Sequence, residues 1–275
     1  MKSTPQRFAS VLSDSAMRIA MTPATASSFD PAAIARRLVR AHNGAVALPH
    51  AQVLPPDAAA AYAVQDETLG RLGPIGGWKV GAKDPTMEPA CAPLPASGLF
   101  ATGATLLGPP WRMRGIEVEV AVRLGRDLVA ADGELDAATV RNAIECVLPV
   151  IEVVETRLAD WRDSAPLAQL ADLQSHGGLV VGEPSALNPH ELDLRAVDAY
   201  LAFDGQPVAS THGANPAGDI WRLLGWLARH CTQRGEPLRA GQVITTGSCT
   251  GMLFAPEGAH VQAQLAGIGL VEVRF

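Results

Sequence analysis

An α+β fold is what this sequence predicts, because short extended runs outnumber helical stretches and no regular strand–helix alternation links them. Three observations carry that reading. Ile116-Glu117-Val118-Glu119-Val120-Ala121-Val122 alternates in strict strand period, and Leu148-Pro149-Val150-Ile151-Glu152-Val153-Val154 is a β-branched run. After Leu194 comes a series of further extended stretches, interrupted by a single long amphipathic helix. With 275 residues, 48% hydrophobic and 18% charged, the chain can bury a substantial core, as one large domain or one domain plus a smaller piece.

The elements follow in order. Residues 1–28 are rich in Ser, Thr and Ala, lack an apolar signal core, and contain Met17 and Met21, so a disordered tail or an early start is expected. Asp30 is a good N-cap, Pro31 suits the first helical position and Gly44 follows the last turn, which predicts a first helix with Ile34, Leu38 and Ala41 on one face. A second begins after Pro56-Asp57, with Ala61, Val64, Thr68 and Leu72 aligned, and ends near Gly73-Pro74. Gly76-Gly77-Trp78-Lys79-Val80-Gly81 reads as a short strand. Pro85 to Pro110 reads as a long loop with short extended pieces, a length that tends to be functional. Asp136 is expected to cap a helix through Ala137, Val140, Ile144 and Val147 that Pro149 breaks. Asp204-Gly205 marks a hairpin after the strand Leu194–Phe203. His212-Gly213-Ala214-Asn215-Pro216 is expected to open the long helix with Asn215 as its cap, and Ile220, Leu223, Leu224, Leu227 and Cys231 form its apolar stripe. Three strands close the chain.

Charge and cysteine usage exclude several classes. A net charge of −6 with no dense Lys/Arg cluster argues against nucleic acid as a partner. No apolar run nears the ~20 residues needed to cross a bilayer, so no membrane partner is expected either. Cys91, Cys146, Cys231 and Cys249 lie far apart without a C-x-x-C pair, which fits reduced thiols in a cytoplasmic protein. The dinucleotide fingerprint, the P-loop, the zincin helix and the nucleophile elbow are all missing from the sequence.

Glu117 and Glu119 share one strand face, roughly 6–7 Å apart. Alone they fit a solvated face as well as a metal site. Glu152 inside a continuous Val/Ile run is harder to explain, because burying a carboxylate is costly unless a cation meets it. A hard divalent ion prefers oxygen ligands and would serve. Lys79, between Trp78 and Val80, is either a surface lysine or an ammonium aimed at an anion. Thr245-Thr246-Gly247-Ser248-Cys249-Thr250-Gly251 is either a plain turn or a cradle for a carboxylate.

Taken together the segments Gly77–Gly81, Ile116–Glu119, Val147–Val154, Asp160-Trp161, Asn215-Pro216, Leu238–Gly251 and Gly267–Phe275 resemble the fumarylacetoacetate hydrolase superfamily, in its 2-oxopent-4-enoate hydratase and 4-oxalocrotonate decarboxylase branch. The resemblance runs from about Asp30 to Phe275. It implies a mixed β-roll core with a small helical N-terminal cap. The expected organisation is a tail over 1–28, a cap and active-site loop over 29–110, and a metal-binding catalytic core over 111–275. It also implies Mg²⁺ (or Mn²⁺) held by Glu117, Glu119 and Glu152, with Lys79 and Ser175 as catalytic residues. Asp172, Ser248, Thr250, Arg157 and His176 become the candidates for binding substrate, a small anionic 2-oxo acid. The implied activity is hydration of a 2-oxo or 2-hydroxydienoate acid through an ion-stabilised enolate. Decarboxylation of a 2-oxo-enedioate is the alternative, with Arg157 or His176 meeting the second carboxylate. C–C hydrolysis would require a His–Glu dyad that the sequence does not assign. A weakened assembly subunit of a hydratase–decarboxylase complex is the non-enzymatic reading, and a homo-oligomer is expected in any case. Two departures stand out. Pro95-Ala96-Ser97-Gly98 has alanine where the hydratases carry an aspartate that assists proton transfer or water addition, and Asp172-Leu173-Gln174-Ser175 replaces the family's Asp-Asn-x-Ser.

Overall fold

The computed structural model describes Met1, residues 29–44, 46–129 and 135–275. The expectation for the tail therefore falls outside the described residues. Helix α1 (Pro31–His42) is capped by the Asp30 carboxylate on the Ala33 amide, and α2 (Ala58–Leu72) by Asp57 on Ala60. The two pack on each other and on the short helix of residues 166–171 through Ile34, Leu38, Ala61, Val64 and Ala168.

Thirteen strands among the described residues make two mixed sheets. The larger contains β1 (Ile75–Gly81), β2 (Ala90–Pro95), β3 (Leu99–Ala101), β5 (Gly115–Leu124), β6 (Ile144–Val154), β7 (His176–Val181), β10 (Val243–Ser248) and β11 (Leu253–Phe254). Its order is β2-β1-β10-β5-β6-β7-β3, with β11 also on β5. The smaller runs β4 (Ala104–Thr105), β13 (Gly269–Arg274), β12 (His260–Leu265), β8 (Asp198–Phe203) and β9 (Gln206–His212). The strands of 75–105 thus pair into the same sheets as residues 111–275. The pieces expected within the Pro85–Pro110 loop are β2, β3 and β4. Pro93 and Pro95 are tolerated in β2 because it lies at a sheet edge.

The larger sheet curls until β2 packs against β7. Outside the curl Ile116, Val118, Val120 and Val122 are fully buried against the smaller sheet and the long helix α5 (Ile220–Gln233). Each such side chain is worth ~1.5–3 kcal/mol of burial. That anchorage fixes the register of β5 and so fixes what its other face presents. Inside the curl, Leu94, Ala121, Leu148, Val150 and Leu179 form a second cluster, and the glutamates continue that same face. Gly77 allows the closure: a Cβ there would lie 2.2 Å from the Val243 carbonyl oxygen.

Two helix expectations are corrected, and the strand expected over Leu194–Phe203 begins only at Asp198, because the Asp193 carboxylate caps a 3-10 turn over Leu194–Ala196. The helix after Asp136 (α3, Ala137–Asn142) stops before Ile144, and Val147 belongs to β6, paired with Val122. Cross-strand pairing outweighs a helical spacing that Val140, Ile144 and Val147 also satisfy. Pro149 does not break β6. Its carbonyl accepts from Gly182 on the β7 side, so its absent N–H would point past the end of β7 and no bond to β5 is lost. The second correction concerns α5, which is capped by Asp219 and not by Asn215. The Asn215 amide instead donates to the Thr246 and Gly247 carbonyls and fastens the end of β10.

Candidate metal centre

β5 and β6 are antiparallel with Glu117 directly opposite Glu152, so the period of two places Glu117, Glu119 and Glu152 on one face. One ligand atom from each lies within 4.8 Å of the others. Glu152 is fully buried and Glu119 is 2% exposed. From β1, three places away in strand order, Lys79 reaches across the curl to within 2.5 Å of Glu152 Oε1. Its Nζ also donates to the Gln174 carbonyl at 3.2 Å. The Thr245 hydroxyl and, at 2.8 Å, the Gly247 amide donate to Glu119 Oε2. Glu152 Oε2 is buried with no hydrogen-bond partner among the described residues.

Three carboxylates face one ammonium, and protons make up the difference. Burial, reinforced by the charge of Glu152, pushes Glu117 up to about 7 and Glu119 up to about 8. Burial would raise Glu152 as well, but Lys79 and His176 hold it below the usual carboxylate range. Lys79 is raised: burial opposes its charge, and Glu152, Glu117 and Glu119 outweigh burial. A closed cluster of oxygen donors, with excess negative charge and an orphaned buried oxygen, fits a hard divalent cation. The cluster opens on a cleft of about 590 Å³ lined by Lys79, Lys83, Glu117, Glu119, Gln174 and Ser248, among others.

The fumarylacetoacetate (FAA) hydrolase C-terminal family matches residues 68–275. The chain belongs to the fumarylacetoacetate hydrolase family. Among its curated relatives, 2-keto-4-pentenoate hydratase of Burkholderia vietnamiensis (strain G4 / LMG 22486) is 30% identical over 237 residues, covering 80% of this chain and 86% of the relative. The 2-keto-4-pentenoate hydratase of Paraburkholderia xenovorans (strain LB400) is 34% identical over 161 residues, and that match spans 58% of each protein's length. The solved structure of 4-oxalocrotonate decarboxylase from Pseudomonas putida G7, complexed with magnesium and adipate, superposes with a TM-score of 0.78. It is 24% identical and covers 89% of this chain and 97% of its own, a likeness of fold. The mixed sheets and few helices expected from the sequence are those of this family.

The other predicted site residues are placed unevenly. Ser248 lines the cleft beside Glu119, its cross-strand partner. The Thr250 hydroxyl donates to the Gly251 carbonyl and accepts from the Val118 amide, tying down the turn. Arg157 and Asp172 face each other as a buried pair, Nε to Oδ1 at 2.5 Å. The Arg157 guanidinium also donates to the carbonyls of Glu155, His176 and Asp172. It holds the chain and is not offered to a distal carboxylate. Ser175 is buried, and Gln174 is the residue of that segment that lines the cleft. His176 is buried with Nδ1 3.3 Å from Glu152 Oε1. It borders a second cavity of about 440 Å³, with Phe100, Trp111, Arg112 and Glu155, outside the glutamate cleft.

Sequence reasoning missed Lys83, and it named Thr245 within a candidate carboxylate cradle without giving it the role of holding Glu119. Lys83 follows β1 and lines the same cleft as Glu117 and Glu119, which lie more than thirty residues on in the chain. Thr245 had a signal, a hydroxyl residue in an apolar strand, but the parallel β1–β10 pairing that sets it beside Lys79 is long-range.

Proposed function

We propose that this chain is a divalent-metal-dependent hydratase-type lyase acting on a small 2-oxo or 2-hydroxydienoate acid. The observation that carries the reading is the convergence of Glu117, Glu119 and Glu152 beside Lys79. Family membership and the names of its relatives support it. The three carboxylates would hold Mg²⁺ or Mn²⁺, which when bound supplies Lewis-acid stabilisation of negative charge on a substrate oxygen. The protein's own part is positional and electrostatic. Lys79 faces the acids from the opposite wall of the cleft, where its ammonium attracts an anionic substrate and stabilises charge developing on it. Ser248, whose hydroxyl donates to the Gly251 carbonyl and accepts from the Thr250 amide, would orient the carboxylate on turning into the cleft it lines. Thr245 and the Gly247 amide keep Glu119 directed while the reaction proceeds.

Decarboxylation of a 2-oxo-enedioate is the second reading, favoured by Lys83. It gives the cleft a second cation besides Lys79, as a dicarboxylic substrate would need. The related structure that carries adipate holds a dicarboxylate.

Turnover of a panel of 2-hydroxydienoates, followed by loss of dienol absorbance, and of 2-oxo-enedioates, followed by release of CO₂ and appearance of the dienol, tests both readings. Activity should appear with Mg²⁺, vanish on chelation and be absent in Glu152→Gln. Metal binding without turnover of any panel acid would instead support an assembly subunit. Turnover that survives chelation would overturn the metal-dependent reading.

A further inference from the structure

Leu173, Gln174 and Ser175 have φ of 49°, 51° and 59°, three consecutive non-glycine residues in the left-handed region. Side chains other than glycine rarely adopt that conformation singly, and a run of three persists only where its surroundings impose it. Here Arg157 imposes it, by binding the Asp172 carboxylate and carbonyl before the run and the His176 carbonyl after it. The run has two outcomes at the acids. It turns the Gln174 carbonyl onto Lys79 Nζ, and it swings His176 beneath Glu152.

Glu152 Oε1 is consequently held from two directions, by Lys79 and by His176 Nδ1, while Oε2 is left without a partner. A nitrogen facing a carboxylate carries the hydrogen, so Nδ1 is the donor whatever charge the ring bears. The imidazole borders the neighbouring cavity with Phe100 and Trp111 and does not line the glutamate cleft. Its Nε2 also lacks a partner, so the contact with Glu152 is its only hydrogen bond among the described residues.

We propose that His176 is a positioning residue for the metal centre, fixing Glu152 through Oε1 so that Oε2 stays available as the ligand atom. The proposal rests on the reading of the three glutamates as an ion site. Partners that orient a ligating carboxylate typically contribute 10- to 100-fold to metal affinity. Lys79 alone leaves Glu152 free to swing about a single flexible ammonium, and the rigid ring supplies the second constraint.

The experiment is Mn²⁺ titration of the metal-stripped full chain, read by electron paramagnetic resonance of the free ion, for wild type and three variants. His176→Leu keeps bulk and removes the donor. His176→Asn keeps an N–H near the Nδ1 position, and His176→Gln moves it out toward Nε2. Leu and Gln should weaken Mn²⁺ binding roughly 10- to 100-fold, and Asn should stay within about 3-fold of wild type. If Leu does not fold, the Asn–Gln contrast carries the test alone. Wild-type affinity in Gln or Leu, or equal losses in Asn and Gln, overturns the positioning role. A wild type that takes up no Mn²⁺ overturns the ion site itself, a separate result.

Discussion

Binding of a divalent ion should release protons, and its affinity should climb steeply with pH. In the metal-free protein Glu117 titrates at about 7 and Glu119 at about 8, both raised by burial and by Glu152. An ion needs all three carboxylates charged. Near pH 6 both acids carry protons, so uptake should expel about two per ion, falling to almost none near pH 9. The penalty at pH 6 is a factor of about 10 for Glu117 and about 100 for Glu119, together ~10³ in affinity or ~4 kcal/mol. These protons belong to the cluster and not to single residues. Stability has the matching sign. An acid raised in the folded state binds more protons than the unfolded chain, so stability without metal should fall as pH rises from the ordinary glutamate range through about 8. Calorimetric titration of Mg²⁺ in buffers of different ionisation enthalpy counts the protons directly. Affinity that is flat from pH 6 to 9, with no protons released at pH 6, would mean that these carboxylates do not surround the ion.

Lys79→Met should lower turnover by about 10²-fold or more while divalent affinity is nearly kept, because His176 still holds Glu152 Oε1 and the loss of one constraint is offset by the loss of a like charge beside the ion. A large loss of Mg²⁺ binding would make the lysine structural. Arg157→Met should cost about 3–5 kcal/mol on thermal unfolding, since it strands a buried Asp172. An unchanged melting point with a raised KM would return Arg157 to the substrate. Lys83→Ala should raise KM about 10-fold for a dicarboxylic substrate and hardly at all for a monocarboxylic one, and equal effects on both would count against Lys83 as the distal cation.

The fold was readable where local pattern and long-range pairing agree. Asp30, Asp57 and the Asp204-Gly205 turn act within a few residues of where they stand, and β5 alternates because one of its faces is core. Failures fall where a distant partner decides. Ile144 and Val147 suit a helix or a strand until β5 claims them, and Asn215 looks like a cap until the end of β10 takes its amide. No helix among the described residues is long and apolar enough to cross a membrane.

The centre divides along the same line. That Glu152 needed a positive partner followed from one residue in a Val/Ile run, but which cation met it depended on how far the sheet curls. Lys79 and His176 lie 73 and 24 residues away in the chain, and neither distance is encoded locally. Arg157 shows the reverse error. The resemblance made it a candidate for the second carboxylate of a substrate, whereas its burial gives it to Asp172 and to the carbonyls around a left-handed run. The segments that carry the two departures from the hydratase pattern, 96–98 and 173–175, both adjoin β7, the first packing on it and the second running into it. A Cβ on Gly98, two residues after Ala96, would lie 3.5 Å from Nε2 of His176, and Leu173 opens the run that orients the same ring. The two changed segments, which look independent in the sequence, therefore both adjoin the ring beside Glu152, and their effect on activity should be measured jointly, by a double-mutant cycle, before either is held responsible.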